Sequence, residues 1–336
     1  MSASAADRPT LRTIAERAGL GVTTVSRALK GGEEIAPRTR RRVRRIADEL
    51  GYVPNRAGVG LRTGRTQVIA LVLSPHAEVS EFALSMVMGL TGALEGSDYH
   101  VDVAPHFRDD DALGPIRRIV ANRAADGLIL SHTEPQDVRV RWLLERDFPF
   151  VTHGRTELAT PHASHDFDNV AFAHEAALRL AAKGRRRLML IGPPESLTYG
   201  THMRVGFERA SARSGADIVE APGLTLATPP HELRAGIAAL CRDANGPDGL
   251  VCGGDTAGLA TIAGLHDAGV ALGERADVVI KQTAPALDHL VPSVDTLYED
   301  LEAAGRALGE QMLALLGGAS PETLRSVALP EMRYRT

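Results

Sequence analysis

TLRTIAERAGLGVTTVSRALKGGEEIAPRTRRRVRRIADELGYVPNRAGVGLRTGRT, residues 10–66, is the stretch whose pattern decides how the chain is read. Thr10 is a good N-cap ahead of Ile14, Ala15 and Ala18, which share one helical face, and Gly19 supplies a left-handed stop. A second helix is expected from Val22 to Lys30, with Val25 and Leu29 inward at i, i+4. Pro37 suits a first helical turn and opens a third helix that turns Val43, Ile46, Ala47 and Leu50 to one side and stops at Gly51. The first two helices have helix-turn-helix spacing: small Ala15 at the crossing, Gly19 four residues on at the turn, Val25 six further. In that geometry the N-terminal half of the second helix enters the major groove, and Val22, Thr23, Ser26, Arg27 and Lys30 face DNA. The fork of Arg27 matches the O6 and N7 acceptors of guanine, while Thr24 and Ser26 are placed for phosphates.

Charge supports this reading. The 336 residues carry a formal net charge of -4, but residues 1–66 hold 14 Lys and Arg against 6 Asp and Glu, and the remainder 24 against 36. A basic head on an acidic body suits a polyanion partner, because neutralising phosphates releases condensed counterions. Six arginines crowd the third helix: Arg38, Arg40, Arg41, Arg42, Arg44 and Arg45. They point around much of its circumference, so one or two are expected to reach phosphate and the rest to be solvated. No segment is apolar enough to span a membrane and the start lacks a secretory signal, which places the expectation in the cytoplasm. Cys241 and Cys252 form no CxxC pair or Cys/His cluster and are expected in the core.

The run from Thr10 to Thr66, with TVSR on the second helix and LGYVPN before a linker, resembles the amino-terminal signature of LacI/GalR transcription regulators. The resemblance implies phosphate contacts at Thr10, Thr24 and Ser26 and base contacts at Val22, Thr23 and Arg27. It also implies hinge contacts at Asn55 and Leu61, the leucine wedging into the minor groove. Two features depart from the pattern. Gly21 stands where a capping serine is usual, and Gly58 and Gly60 weaken a helical hinge by about 1 kcal/mol each.

From Gln67 onward short apolar runs alternate with amphipathic stretches. Strands are expected at 67–73, 100–104, 127–131, 148–152, 187–191, 216–220, 249–252 and 277–280, and helices at 82–96, 110–123, 169–183, 203–214, 231–243 and 256–268. This alternation predicts an α/β core of parallel sheets in two lobes. The resemblance implies the same, a two-lobed periplasmic-binding-protein-like core crossed by the chain near residues 166, 297 and 327. The expected organisation is a three-helix helix-turn-helix domain at 1–52, a hinge at 53–66 and a core at 67–336. Within the core, lobe 1 spans about 67–166 and 297–327, and lobe 2 about 167–296 and 328–336.

In such sheets a ligand sits beyond the carboxyl ends of the strands. The residues there are Ser74, His153 with Arg155, Asp168 with Asn169, Tyr199 to Arg204, Asp255, and Lys281 with Gln282. Hydroxyls, carboxylates, an amide and a guanidinium suit a polyhydroxylated ligand. The resemblance singles out Arg204, in RVGF, and Asp255 as effector contacts. ADVVIKQT, with Lys281 and Gln282 in place of an aspartate pair, and FPFVTHGR resemble the subset of these regulators associated with α-glucosides and related oligosaccharides.

Dinucleotide, P-loop and GxSxG motifs are lacking, so an enzyme is not expected. His162, His165, Asp166 and Asp168 are too loosely spaced for a metal, and no cofactor is expected. The implied function is a DNA-binding regulator of the repressor type whose operator affinity is set by a sugar. It would act as a homodimer paired through helices around 82–96 and 105–120, with no tetramerising heptad. A purine or nucleoside effector is the alternative and would expect stacking aromatics in the cleft. A sugar-transport component would expect a signal peptide and no basic head.

Overall fold

The computed structural model describes residues 9–29, 31–52, 64–73, 79–105, 111–221, 223–285, 287–290 and 294–334. The chain divides into two units, Met1–Thr66 and Gln67–Thr336. Asn55, Leu61 and Ser74, and with them Lys30, Gly58 and Gly60, lie outside the described residues.

Unit 1 consists of α1 (Leu11–Ala18), α2 (Val22–Leu29) and α3 (Pro37–Leu50). Thr10 caps α1 reciprocally: its hydroxyl accepts from the Thr13 amide at 3.3 Å, and the Thr13 hydroxyl accepts from the Thr10 amide at 3.2 Å. Gly19, at φ 63°, donates back to Ala15 and Glu16 and frees the chain to turn. The core is Ile14, Ala15, Ala18, Val25, Ala28, Val43, Ile46 and Ala47. Leu29, expected inward, packs against this core half-buried, and Ala28 is the more deeply buried residue beside Val25. The helices meet on an i, i+3 pair, where a small side chain permits closer approach.

Unit 2 holds two six-stranded sheets. The first has strand order β11-β5-β4-β3-β1-β2 and is parallel throughout. Its strands are β1 (Val68–Leu73), β2 (His100–Pro105), β3 (Gly127–Leu130), β4 (Phe150–His153), β5 (Ser164–Phe167) and β11 (Arg325–Ala328). The second has order β12-β10-β9-β8-β6-β7 and is parallel except for β12. It comprises β6 (Arg187–Ile191), β7 (Asp217–Ile218), β8 (Gly249–Cys252), β9 (Asp277–Gln282), β10 (Asp295–Tyr298) and β12 (Glu331–Arg333). The central strands β1, β3 and β8 are apolar and buried along nearly their whole length, as strands covered on both faces by helices must be. The chain passes between the sheets three times, after Phe167, after Tyr298 and after Ala328.

The helices of unit 2 are α4 (Val79–Ala93), α5 (Gly114–Ala121), α6 (Val138–Leu144), α7 (Asn169–Ala182), α8 (Thr198–Ser214), α9 (Pro230–Arg242), α10 (Asp255–Asp267), α11 (Leu287–Leu290) and α12 (Leu301–Leu316). Among the described residues three helix pairs touch through glycine, one of them α9 with α10, where a Cβ on Gly264 would strike the Arg234 carbonyl. A Cβ on Gly206 of α8 would strike the Val170 carbonyl of α7, and one on Gly305 of α12 would strike the Met86 carbonyl of α4.

Four strands were not anticipated: SHDF, DTLY, RSVA and EMR. Each mixes charged or hydroxylated residues into a short run, so apolar patterning misses them. In the two that are buried, SHDF and DTLY, the charges are met from outside: Asp166 receives Arg155 Nε, and Asp295 receives Arg179 Nε at 2.6 Å from the end of α7. The expected strand β9 is served in the same way, Asp277 receiving Arg185 Nε at 2.6 Å from the turn after α7. Helix α8 begins at Thr198, five residues earlier than expected. Cys241 and Cys252 are buried, and burial pushes their thiols up to about 11 and about 12.

Candidate functional site

On unit 1 the outward face of α2 presents Val22, Thr23 and Arg27 to solvent, with Thr24 and Ser26 half-buried beside them. Because Val25 and Ala28 point into the core, residues 22, 23, 26 and 27 fall on the opposite side. Arg27 Nε lies 3.8 Å from Glu34, an exposed pair. Pairs of this kind are worth at most about 1 kcal/mol, so Glu34 aims the guanidinium without holding it against a competing guanine. Thr10 is engaged as a helix cap, with its side chain exposed at the start of α1.

In unit 2 the carboxyl ends of both sheets open onto one cleft. β3 delivers His132 and Thr133, β4 delivers His153 and Arg155, and β5 delivers Phe167 and Asn169. From the second sheet come Thr198 and Tyr199 after β6, Asp255 after β8, Lys281 and Thr283 at the end of β9, and Glu299 after β10. Phe82 of α4 and His202 of α8 complete the wall.

The charges of the cleft are largely satisfied from within. Lys281 Nζ lies 2.5 Å from Glu299, donates to Asn169 Oδ1 at 3.1 Å and sits 4.4 Å from the Phe167 ring centroid. Glu299 also approaches His153 Nε2 at 3.5 Å. Burial alone would raise the Glu299 carboxyl, but the charges of Lys281 and of His153 beside it hold it down at about 2. Arg155 Nε meets Asp166 at 2.5 Å. Asp255 Oδ2 accepts from the Thr283 amide at 2.9 Å, the Thr283 hydroxyl at 2.5 Å and the Ala284 amide at 3.1 Å, tying α10 to the end of β9. Thr198 Oγ1 and His202 Nδ1 are buried with no hydrogen-bond partner among the described residues. Burial, then the charge of Arg155, lowers the His202 imidazole below its usual range, against the raising charges of Asp166, Glu157 and Asp168.

Of the residues singled out from sequence, the cleft gathers His153, Arg155, Asn169, Tyr199, Asp255 and Lys281. Three others are placed elsewhere. Arg204 lies on the far side of α8, bonded to Glu195 at 3.1 Å and Glu220 at 3.4 Å. The early start of α8 explains this: Tyr199 and His202, three apart, share the cleft face, and Arg204 is about 200° round from His202. Gln282 is buried against β10, accepting from Thr296 Oγ1 at 2.7 Å and donating to the Ala284 carbonyl at 2.9 Å. Asp168 caps α7 through the Ala171 amide. Lys281 is buried on the floor of the cleft. The histidine and carboxylate group near residue 165 is dispersed: His162 bonds Thr152, His165 bonds Ser326, and Asp166 holds Arg155.

His202 falls within the expected stretch Tyr199 to Arg204, whereas Glu299, His132, Thr133, Phe82 and Thr198 were not anticipated. His132 and Thr133 follow a strand that the sequence did reveal, and the rule of strand ends points to them directly. Glu299 follows DTLY, so it was invisible until that strand was known.

These features define a class: a helix-turn-helix module and, in the same chain, a two-lobed core built to hold a small molecule. The sequence profile of bacterial regulatory proteins of the lacI family matches residues 10–55, and that of the periplasmic binding protein-like domain matches residues 177–336. The HTH-type transcriptional regulator AglR of Rhizobium meliloti is 31% identical over 90% of this chain and 86% of its own length. CelR of Thermobifida fusca is 29% identical over 98% of both chains. A structure of a CelR–cellobiose complex covers 98% of this chain and 99% of its own at 26% identity, with a TM-score of 0.71. The lac repressor dimer bound to operator and the anti-inducer ONPF shares the fold at a TM-score of 0.81 and 18% identity over 98% of each chain. The chain belongs to the LacI family of helix-turn-helix transcription regulators.

Proposed function

We propose that this regulator represses transcription as a homodimer on a two-fold operator, and that a neutral carbohydrate in the cleft, an α-glucoside or related oligosaccharide, sets its operator affinity. The observation that carries the effector class is the internal pairing of Lys281 with Glu299 and Arg155 with Asp166. A ligand with a full charge would have to break such a pair, whereas hydroxyl groups match the unpaired Thr198 and His202 atoms and the rings of Phe82 and Tyr199 can pack on a sugar face. The solved CelR complex with cellobiose, a β-linked disaccharide, supports a neutral carbohydrate but not the α linkage, which rests on the sequence resemblance. Val22, Thr23 and Arg27 read bases, and Thr24 and Ser26 with Thr10 meet phosphates. His153, Arg155, Asn169, Tyr199, Asp255 and Lys281 contact or shape the effector, joined by Thr198, His202 and Glu299. Leu84 and Met88, exposed four apart on α4, suit the contact with a second copy. The protein is proposed to act in the cytoplasm, with no catalytic role.

The rings of Phe82, His132 and Tyr199 also give a nucleoside effector a specific footing, since they meet edge to face where the two sheets face each other, with centroid spacings of 5.6 Å and 6.1 Å. One titration separates the readings. Full-length protein is bound to operator duplex selected from a random pool and followed by fluorescence anisotropy against α-glucosides, β-glucosides and nucleosides. A shift in operator affinity with α-glucosides alone supports the proposal. A shift with nucleosides alone replaces the effector class, and no affinity for any selected duplex overturns the DNA-reading role.

A further inference from the structure

The arginines of α3 are not used by the recognition face of α2, and their placement is not that of a scattered solvated set. Val43, Ile46 and Ala47 fix the buried side of the helix. Arg41, Arg44 and Arg45 then line one shallow groove with Arg40, Pro37, Asp48 and Gly31. Arg40 is built into its edge: Nη1 donates to the Gly31 carbonyl at 2.8 Å and lies 3.5 Å from that of Gly32, fastening α3 to the chain just beyond the C-terminal end of α2. Arg45 pairs with Glu49 at 3.5 Å, both exposed. Arg38, Arg41, Arg42 and Arg44 have no acidic side chain within 4 Å among the described residues, and Asp48 is the acidic residue of the groove itself.

Like charges three and four apart repel along a helix, so Arg41 with Arg44 and Arg45, and Arg38 with Arg42, oppose the fold that holds them together. They become favourable only when a polyanion supplies the missing charge. The groove starts where α2 ends, so a duplex whose bases are read along α2 continues toward it. We propose that the α3 groove binds the sugar-phosphate backbone of operator-flanking DNA through Arg41, Arg44 and Arg45, outside the half-site read by α2. It rests on the DNA-reading role of α2 and adds a second, sequence-independent contact to it.

The test uses full-length protein and two duplexes from the same selected operator, one trimmed to its half-sites and one extended by about ten base pairs, one helical turn, on each side. Affinities are measured across a range of salt concentrations for the parent, for R41Q/R44Q/R45Q and for R41K/R44K/R45K. On the extended duplex the Gln variant of the dimer is expected to lose about 5 from the slope of log affinity against log salt, about 0.9 for each of three lost phosphate contacts per protomer. The Lys variant should retain the slope, because charge and not fork geometry meets phosphate here. On the trimmed duplex the parent and both variants should bind alike, with the same preference for operator over scrambled sequence. An unchanged slope on the extended duplex overturns the proposal and leaves the groove to an acidic protein surface. An equal loss on the trimmed duplex also overturns it, by placing these arginines inside the half-site. Failure of the parent to bind the trimmed duplex would instead count against the DNA-reading role itself.

Discussion

Lys281 and Glu299 are the residues on which the cleft depends most. Both are more than nine-tenths buried, and their charges offset each other across 2.5 Å. Removing one partner leaves an uncompensated charge in a dry site, which costs about 3–5 kcal/mol, whereas removing both with side chains of similar shape can be close to neutral. Lys281→Met is therefore expected to destabilise the core by several kcal/mol in urea, and K281M/E299Q to recover most of the loss. If the double variant is no better than the single one, the pair is not the coupling that the distances describe. Arg204 gives the opposite expectation. Its two carboxylate partners, Glu195 and Glu220, are exposed, and its side chain is turned from the cleft. Arg204→Ala should change effector affinity by less than about threefold, measured by calorimetry, since no ligand contact is lost and exposed pairs contribute about 1 kcal/mol or less. At this scale sequence shows chemistry but not direction. His153, Tyr199, Asp255 and Lys281 were legible because they follow recognisable strands, while Arg204 and Gln282 were misplaced because two residues along a helix, or one along a strand, turn a side chain to another face.

The elements were legible where burial is apolar and periodic. The three helices of unit 1, the runs VIALVL and GLVC, and the amphipathic helices of both lobes announce themselves through period and caps. What patterning could not show are the elements at the crossings, where β5 and β10 bury Asp166 and Asp295 against Arg155 and Arg179 supplied from distant positions. Helix contacts set by glycine are equally silent in sequence. Gly206 lets α8 rest on the backbone of α7, and any side chain there meets the Val170 carbonyl. Gly206→Val must push the helices apart, at a cost of about 3 kcal/mol or more, because backbone cannot give way as a flexible side chain can. A lowered urea midpoint of the core, with the helical signal of unit 1 unchanged, is the expected result. Because Tyr199 and His202 ride on α8, effector affinity should fall in the same variant.

Across the whole molecule, buried ionisable groups under the cleft couple stability to acidity. Burial, reinforced by the charge of His153 and opposed by Glu299, lowers His165 to about 4, and its Nδ1 is engaged with Ser326 at 2.8 Å. Ser326 in turn accepts from Gln311 Nε2 at 2.9 Å, so β5, β11 and α12 share one polar chain. Unfolded, the imidazole binds its proton near pH 6.5; folded, it resists until about pH 4. Between those values the unfolded chain binds more protons, so stability rises with pH there. The contribution of His165 is fully present above about pH 6.5 and is lost as pH falls toward 4, by about 3 kcal/mol in all. Glu299 adds a second and lower window. Its folded value of about 2 is below the ordinary 4.5, so its contribution is present above about pH 4.5 and declines as pH falls toward 2. Urea unfolding of the full chain from pH 8 to pH 4 should therefore show a nearly flat midpoint down to about pH 6.5 and a decline below it. In His165→Gln, which keeps a polar partner for Ser326 but cannot titrate, the slope between pH 6.5 and 4.5 should become shallower, the remainder belonging to His162 and His202, whose imidazoles burial also lowers, while the fall below 4.5 remains. An unchanged slope would take His165 out of that window. Coincident loss of effector binding and stability in the parent would mean that the floor of the cleft and the crossing between lobes give way together.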